Sequence, residues 1–141
     1  MRTCWLIAWA FTAAVLAGCG GDSGAGKVHV SGKATFNGQP IPAGQITFTP
    51  AAGNSGPQGY AEIKAGQYDT AQGGQGTTGG SHDVRIAGFD GKSSPDNPNV
   101  KALFNEHAVN VDLPKTGQAT QDFDVPASAA AGLIHSTEPP P

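Results

Sequence analysis

The sequence predicts an all-β fold: an antiparallel Greek-key-type β-sandwich of about seven short strands, behind a cleaved signal peptide. Three observations predict it. From residue 28 onward, apolar residues recur at every second position in short runs, the period of a half-buried strand. The runs are separated by turn-forming residues, with 21 Gly and 11 Pro in 141 residues, about twice the usual share. No long stretch beyond the leader repeats apolar residues at helical spacing.

Composition also excludes several classes. The length suits one folded domain. A net charge of -3 does not supply the Lys/Arg surplus that phosphate neutralisation requires, so no nucleic-acid partner is expected. Charged residues make up only 13%, unlike the highly charged chains that stay unfolded.

Residues 1–18 have the order of a secretory signal: basic Arg2, an apolar run from Trp5 to Val15, then small residues. The run is shorter than the ~20 residues that span a bilayer. Leu16-Ala17-Gly18-Cys19 follows directly and resembles the lipobox of bacterial lipoproteins. That resemblance implies cleavage before Cys19, lipid attachment to Cys19, and anchoring in the cell envelope on the periplasmic or outer face. Gly20, where an Asp would imply inner-membrane retention, favours the outer membrane. Cleavage removes Cys4 and leaves Cys19 as the sole cysteine, so no intrachain disulfide is expected. Residues 19–27 form a lipidated Cys and a Gly/Ser-type tether, whose eight residues after the cysteine span roughly 14–17 Å.

The strand region covers 28–126. Val28, Val30, Gly32, Ala34 and Phe36 face one side of a first strand, with His29, Ser31, Lys33 and Thr35 on the other. Asn37-Gly38 is a turn pair because both residues tolerate positive φ. Pro40 and Pro42 stiffen the next connection. Ile46 and Phe48 alternate with polar neighbours up to Pro50, and 53–57 loops. Ala61 and Ile63 mark a short strand over 60–64, Ala65-Gly66 turns, and 67–70 pairs back. The Gly-rich stretch 71–80 is expected to loop out. His82 to Phe89 alternates around Val84 and Ile86, Asp90-Gly91 turns, and 93–99 is a polar loop. Residues 101–107 suit either a helical turn or an extended segment. Val109, Val111 and Leu113 alternate up to Pro114, and Phe123 and Val125 up to Pro126. The tail 127–141 lacks alternation and is expected to be disordered.

Two segments carry a family pattern. Val30-Ser31-Gly32 through Gly38-Gln39-Pro40-Ile41 runs into Ile46-Thr47-Phe48-Thr49-Pro50, and Ala61-Glu62-Ile63-Lys64-Ala65-Gly66-Gln67-Tyr68 follows. Together they resemble the carboxypeptidase regulatory-like, transthyretin-like domain, and Asp83 to Ile86 suits its next strand. The resemblance implies a non-catalytic accessory module, while residues 101–113 depart from the pattern. Transthyretin-like hydroxyisourate hydrolases end in Tyr-Arg-Gly-Ser, which is absent here, and Arg85 is the only arginine beyond the leader.

Candidate chemistry is sparse. Gly74-Gln75-Gly76-Thr77-Thr78-Gly79 matches G-x-G-x-x-G, but a dinucleotide site needs a buried strand before it and a helix after it. Ser81-His82-Asp83 has triad residue types, yet neighbours on a strand point to opposite faces. His29, His82, His107 and His135 lack metal-ligand spacing and are expected at the solvated surface. Asp90, Asp96 and Asn97 miss the calcium-loop spacing. Asp122 and Asp124 share a face and, with Asp112, suit a solvated acidic surface. No catalytic residue, metal or cofactor is therefore expected. The expected function is a lipid-anchored, non-catalytic envelope module, joined to the membrane through Cys19 and binding an envelope protein or polysaccharide. Two alternatives are an accessory domain or minor hydrolase using the Gly/Asp-rich loops, with acidic groups of 83–97 converging, and a Ca²⁺-stabilised adhesion module.

Overall fold

The computed structural model describes residues 27–92 and 100–131. The leader, Cys19, most of the tether, the 93–99 loop and residues 132–141 lie outside the described residues. The fold is all-β, with nine strands in chain order: β1 Val28–Phe36, β2 Gln39–Pro40, β3 Ala43–Pro50, β4 Gly59–Lys64, β5 Gln67–Asp69, β6 Gly80–Phe89, β7 His107–Leu113, β8 Gly117–Thr120 and β9 Phe123–Val125. Pairing runs β2-β1-β5-β4-β3-β6-β7, and β8 and β9 both add to β1. The strands form one curled sheet continuous through β1. A two-layer sandwich is the part of the expectation that this pairing does not establish.

The alternation read in the sequence is the burial pattern observed. Val28, Val30 and Ala34 of β1 are buried, as are Ile46 and Phe48 of β3, Ala61 and Ile63 of β4, and Val84 and Ile86 of β6. They form a single core that also takes in Ile41, Phe104, Leu113, Phe123 and Val125. Phe48, Tyr68 and Phe123 meet at its centre, with ring centroids 6.1–6.4 Å apart, a spacing at which tilted aromatic pairs attract beyond their area burial. Two-residue turns close two hairpins. Asn37 and Gly38 stand at φ 49° and 76°, and Ala65 and Gly66 at 49° and 75°. Such doubly left-handed turns match the twist of the flanking strands.

Three features depart from expectation. First, not every pairing is antiparallel. β8 and β9 run parallel to β1 in one register, Val28↔Gly117 to Ser31↔Thr120 and then Ala34↔Phe123 to Phe36↔Val125. The short run 117–120 has little apolar signal, and its strand state comes from the open edge of β1. Between the two ladders the Gln121 N–H donates to the Ser31 carbonyl at 2.9 Å. The Lys33 N–H donates to Asp122 Oδ1 at 2.7 Å. A Cβ on Gly32 would lie 2.0 Å from the Gln121 carbonyl oxygen, so only glycine fits there.

Second, the Gly-rich stretch does not loop out. Gln75 exchanges backbone hydrogen bonds with Tyr60 at 2.8 and 2.9 Å, and Thr77 does so with Val28 at 2.7 and 3.0 Å. A Cβ on Gly74 would sit 2.3 Å from the Tyr60 carbonyl oxygen. The glycines therefore permit backbone-to-backbone contact. Third, the described chain stays structured from residue 127 to 131. Ala127–Ala130 forms a 3-10 turn, held where Asn105 N–H donates to the Ala129 carbonyl at 3.0 Å.

The ambiguous 101–107 segment forms no helical turn: Ala102 makes an isolated bridge to Phe89, and 103–105 bend before β7 begins at His107. Leu103 N–H donates to the Gly88 carbonyl at 2.9 Å. The Phe104 ring lies over Gly88, where a Cβ would come within 2.5 Å of it. Phe104 also packs on Phe36 at a centroid distance of 5.0 Å.

Candidate functional site

The polar half of the strand alternation assembles a cleft. Residues at i and i+2 of a strand project from one face. Glu62 and Lys64 of β4, Gln67 and Asp69 of β5, and Ser31 and Lys33 of β1 are such pairs, and all line one open cleft of about 650 Å³. Thr120 and Asp122 close one side, and Gln72 and Gly73 close another. Register explains the convergence, since β1 pairs with β5 through Ser31↔Asp69 and Lys33↔Gln67. β4 meets β5 only at Lys64↔Gln67, so the two strands splay beyond the turn and leave the hollow.

Most charged groups of the cleft already have partners. Lys64 Nζ contacts Glu62 Oε2 at 2.6 Å. That hydrogen bond and charge keep the Glu62 carboxyl below its ordinary value. Both side chains are more than half exposed, so the pair adds little stability. Asp69 accepts from Ala71 N–H at 2.8 Å and Gln72 Nε2 at 3.1 Å, which fixes the Gln72 rim. The Tyr68 hydroxyl donates to the Gln121 carbonyl at 2.5 Å beneath the floor. Burial, then the negative charge of Asp122, push its pKa up, so Tyr68 stays a neutral donor that ties the core to the β8–β9 junction.

The residues singled out in the sequence are placed differently from one another. His82 is fully buried, not solvated. Its Nε2 meets Thr77 Oγ1 at 2.8 Å and its Nδ1 meets the Gly80 carbonyl at 2.9 Å. The inward phase of β6 puts position 82 with Val84 and Ile86, and buried Thr77 supplies the polar partner that burial demands. Ser81 and Asp83 face outward on either side. His29 and His107 are half-buried, and His135 lies outside the described residues.

Asp122 and Asp124 do not form a carboxylate pair. Each satisfies a different part of β1. Asp124 Oδ1 accepts from Thr35 Oγ1 at 2.7 Å and from the Gly38 N–H at 3.1 Å, and these bonds hold its carboxyl below the ordinary value. Asp112 sits on β7, in a separate part of the sheet. Asp83 accepts from Asn110 Nδ2 on β7. Asp90 accepts from the Lys92 and Lys101 N–H groups at 3.1 and 3.3 Å. Asp90 follows Asp83 by seven residue steps along and just past β6, about 23 Å at ~3.3 Å per residue, so these two do not converge. Asp96 and Asn97 lie outside the described residues. No group of three or more His, Cys, Asp or Glu able to hold a metal occurs among the described residues. The G-x-G-x-x-G stretch packs against β1 and β4, without the helix a dinucleotide site requires.

No helix among the described residues is long and apolar enough to cross a membrane. Arg85 Nη1 bonds Glu106 Oε1 at 2.8 Å beside a smaller hollow of about 250 Å³. Comparison with protein-family models, curated proteins and solved structures returns no match. Sequence reading placed Ser31 and Lys33 on an outer face. It did not bring them to Glu62, Gln67 and Gln72, because the register joining those strands is absent from the pattern within each strand.

Proposed function

We propose that the chain is a lipid-anchored, non-catalytic module of the bacterial cell envelope, tethered through Cys19 and binding an extracytoplasmic partner. One observation carries the anchoring: Leu16-Ala17-Gly18-Cys19 directly follows a basic start and an apolar run too short to span a bilayer. The β-strand domain beginning at Val28, eight residues beyond the cysteine's successor, suits display close to the membrane surface. Likeness of the β1 to β5 segments to the carboxypeptidase regulatory-like pattern supports an accessory role. The open cleft over β4, β5 and β1 supports binding as that role. Gly20 supports an outer-membrane location.

The test is Cys19→Ala expressed as the full chain. Wild type is expected in the membrane fraction and labelled by fatty acid, and the variant in the soluble fraction and unlabelled. Two signals are needed for stable anchoring, and one acyl chain alone binds only marginally. Fatty-acid labelling that persists in the variant would overturn the assignment of Cys19.

A further inference from the structure

We propose that the outer face of β4, β5 and β1 is a saccharide-binding platform, with Tyr60 as its stacking ring and the cleft beside it supplying the hydrogen bonds. The proposal deepens the binding role proposed above by naming the site and the ligand class.

Tyr60 is the starting observation. It is 40% exposed and is the only exposed aromatic ring among the described residues. On β4 it shares the outward face with Glu62 and Lys64, since positions 60, 62 and 64 alternate with buried 59, 61 and 63. Its ring therefore stands about 7 Å from the Glu62 position, two residues along an extended strand. Gly74 runs against its backbone, the preceding Gly73 lines the cleft, and the Gln75–Tyr60 bridge holds that rim in place. An exposed aromatic ring beside a polar hollow offers two complementary surfaces to one ligand. The ring takes the apolar C–H face of a pyranose, and the hollow takes its hydroxyls.

The chemistry of the hollow selects among ligands. Two lysines stand with three carboxylates, Glu62, Asp69 and Asp122, so the hollow does not favour a phosphate or a polyanion. A peptide strand cannot add to β1 here, because its 31–33 stretch has β5 on one edge and the β8–β9 junction on the other. Apart from Tyr68, which is buried, the hollow presents no large apolar side chain for an amphipathic partner. Besides the Lys33 and Lys64 ammonium groups, the hollow exposes planar amides and carboxylates, two of them held by neighbours. Glu62 is held by Lys64, and Gln72 by Asp69. Groups of that kind, preorganised by their neighbours, suit the closely spaced donors and acceptors of a neutral, hydroxyl-rich polysaccharide.

The experiment uses the full chain in detergent, titrated with chito-oligosaccharide and cello-oligosaccharide hexamers while backbone amide resonances are followed. Saturable shifts in at least one titration are expected, clustered at 60–64, 67–73 and 31–33. Tyr60→Ala is expected to weaken binding roughly tenfold, and Gln72→Ala roughly threefold to tenfold. Both positions are exposed, and an unchanged amide spectrum elsewhere confirms that the variants fold. Cys19→Ala is expected to bind the same glycan as wild type, so loss of the anchoring reading leaves this result intact. Absence of binding to both hexamers overturns the proposal. So does binding that Tyr60→Ala leaves unchanged, or shifts confined to another face.

Discussion

Gly32→Ala tests the junction on which β1 depends. A methyl group at this position would lie 2.0 Å from the Gln121 carbonyl oxygen and 2.7 Å from its carbon. Both are backbone atoms, so no side-chain rotation relieves the overlap. The 121–122 segment must move away from β1. That displacement strains three bonds at once: Gln121 N–H to the Ser31 carbonyl at 2.9 Å, Lys33 N–H to Asp122 at 2.7 Å and the Tyr68 hydroxyl to the Gln121 carbonyl. Overpacking of this kind costs about 1–3 kcal/mol. Each weakened hydrogen bond adds up to about 1 kcal/mol. The expected loss is about 2–5 kcal/mol, a large share of the ~5–15 kcal/mol that holds an ordinary domain. Urea unfolding followed by far-ultraviolet circular dichroism measures it directly, with an unchanged slope and a lower midpoint expected. At ~4–8 °C per kcal/mol for a domain of this size, the melting temperature falls by about 8 °C or more. A variant within about 0.5 kcal/mol of wild type would show that 121–122 is not packed against β1, and the parallel β8 and β9 pairings would lose their support.

Two further outcomes follow from the same geometry. Thr70→Val preserves side-chain shape but removes the Oγ1 that accepts the buried Val30 N–H at 2.8 Å; a loss of about 1–3 kcal/mol is expected from chemical denaturation, and neutrality would mean that water reaches that N–H. For Asp124, hydrogen bonds from Thr35 and then Gly38 lower the folded-state pKa below 3.8, so its contribution is present above the unfolded value and lost as pH falls through the folded one. The stability difference between wild type and Asp124→Ala is therefore expected at neutral pH and should shrink below that carboxylate range; a difference that stays constant on acidification refutes the role of the charge.

The strand pattern was legible wherever one face is buried. Val28/Val30/Ala34, Ile46/Phe48, Ala61/Ile63 and Val84/Ile86 read correctly because a half-buried strand needs apolar residues at period two. Both turns were legible, and Asn37-Gly38 also showed its left-handed conformation because few residues tolerate it, whereas Ala65 at positive φ carried no such signal. Legibility failed where the partner is distant in sequence. Gly74 and Gly76 looked like flexible loop residues, although their lack of a side chain serves close contact with Tyr60 and Val28. His82 looked like a surface histidine because polarity alone suggests solvent. Its phase on β6 was the available signal for burial, and Thr77 the partner that makes it tolerable.

The same division holds for the candidate site. The outward phase of Ser31 and Lys33 was legible from local alternation, as was the turn beside Lys64. Their meeting with Glu62, Asp69 and Gln72 was not, because it depends on register between strands and on a β4–β5 pair that parts after one residue. By itself the sequence determined the all-β class, the inward residues of each long strand and the two hairpin turns, all properties of neighbouring residues. Tertiary structure alone decided the parallel placement of β8 and β9, the Thr77 partner that His82 meets in the core and the cleft beside Tyr60. These depend on which backbone edges and faces meet across the fold, where hydrogen-bond pairing and steric fit, not local pattern, select the partner.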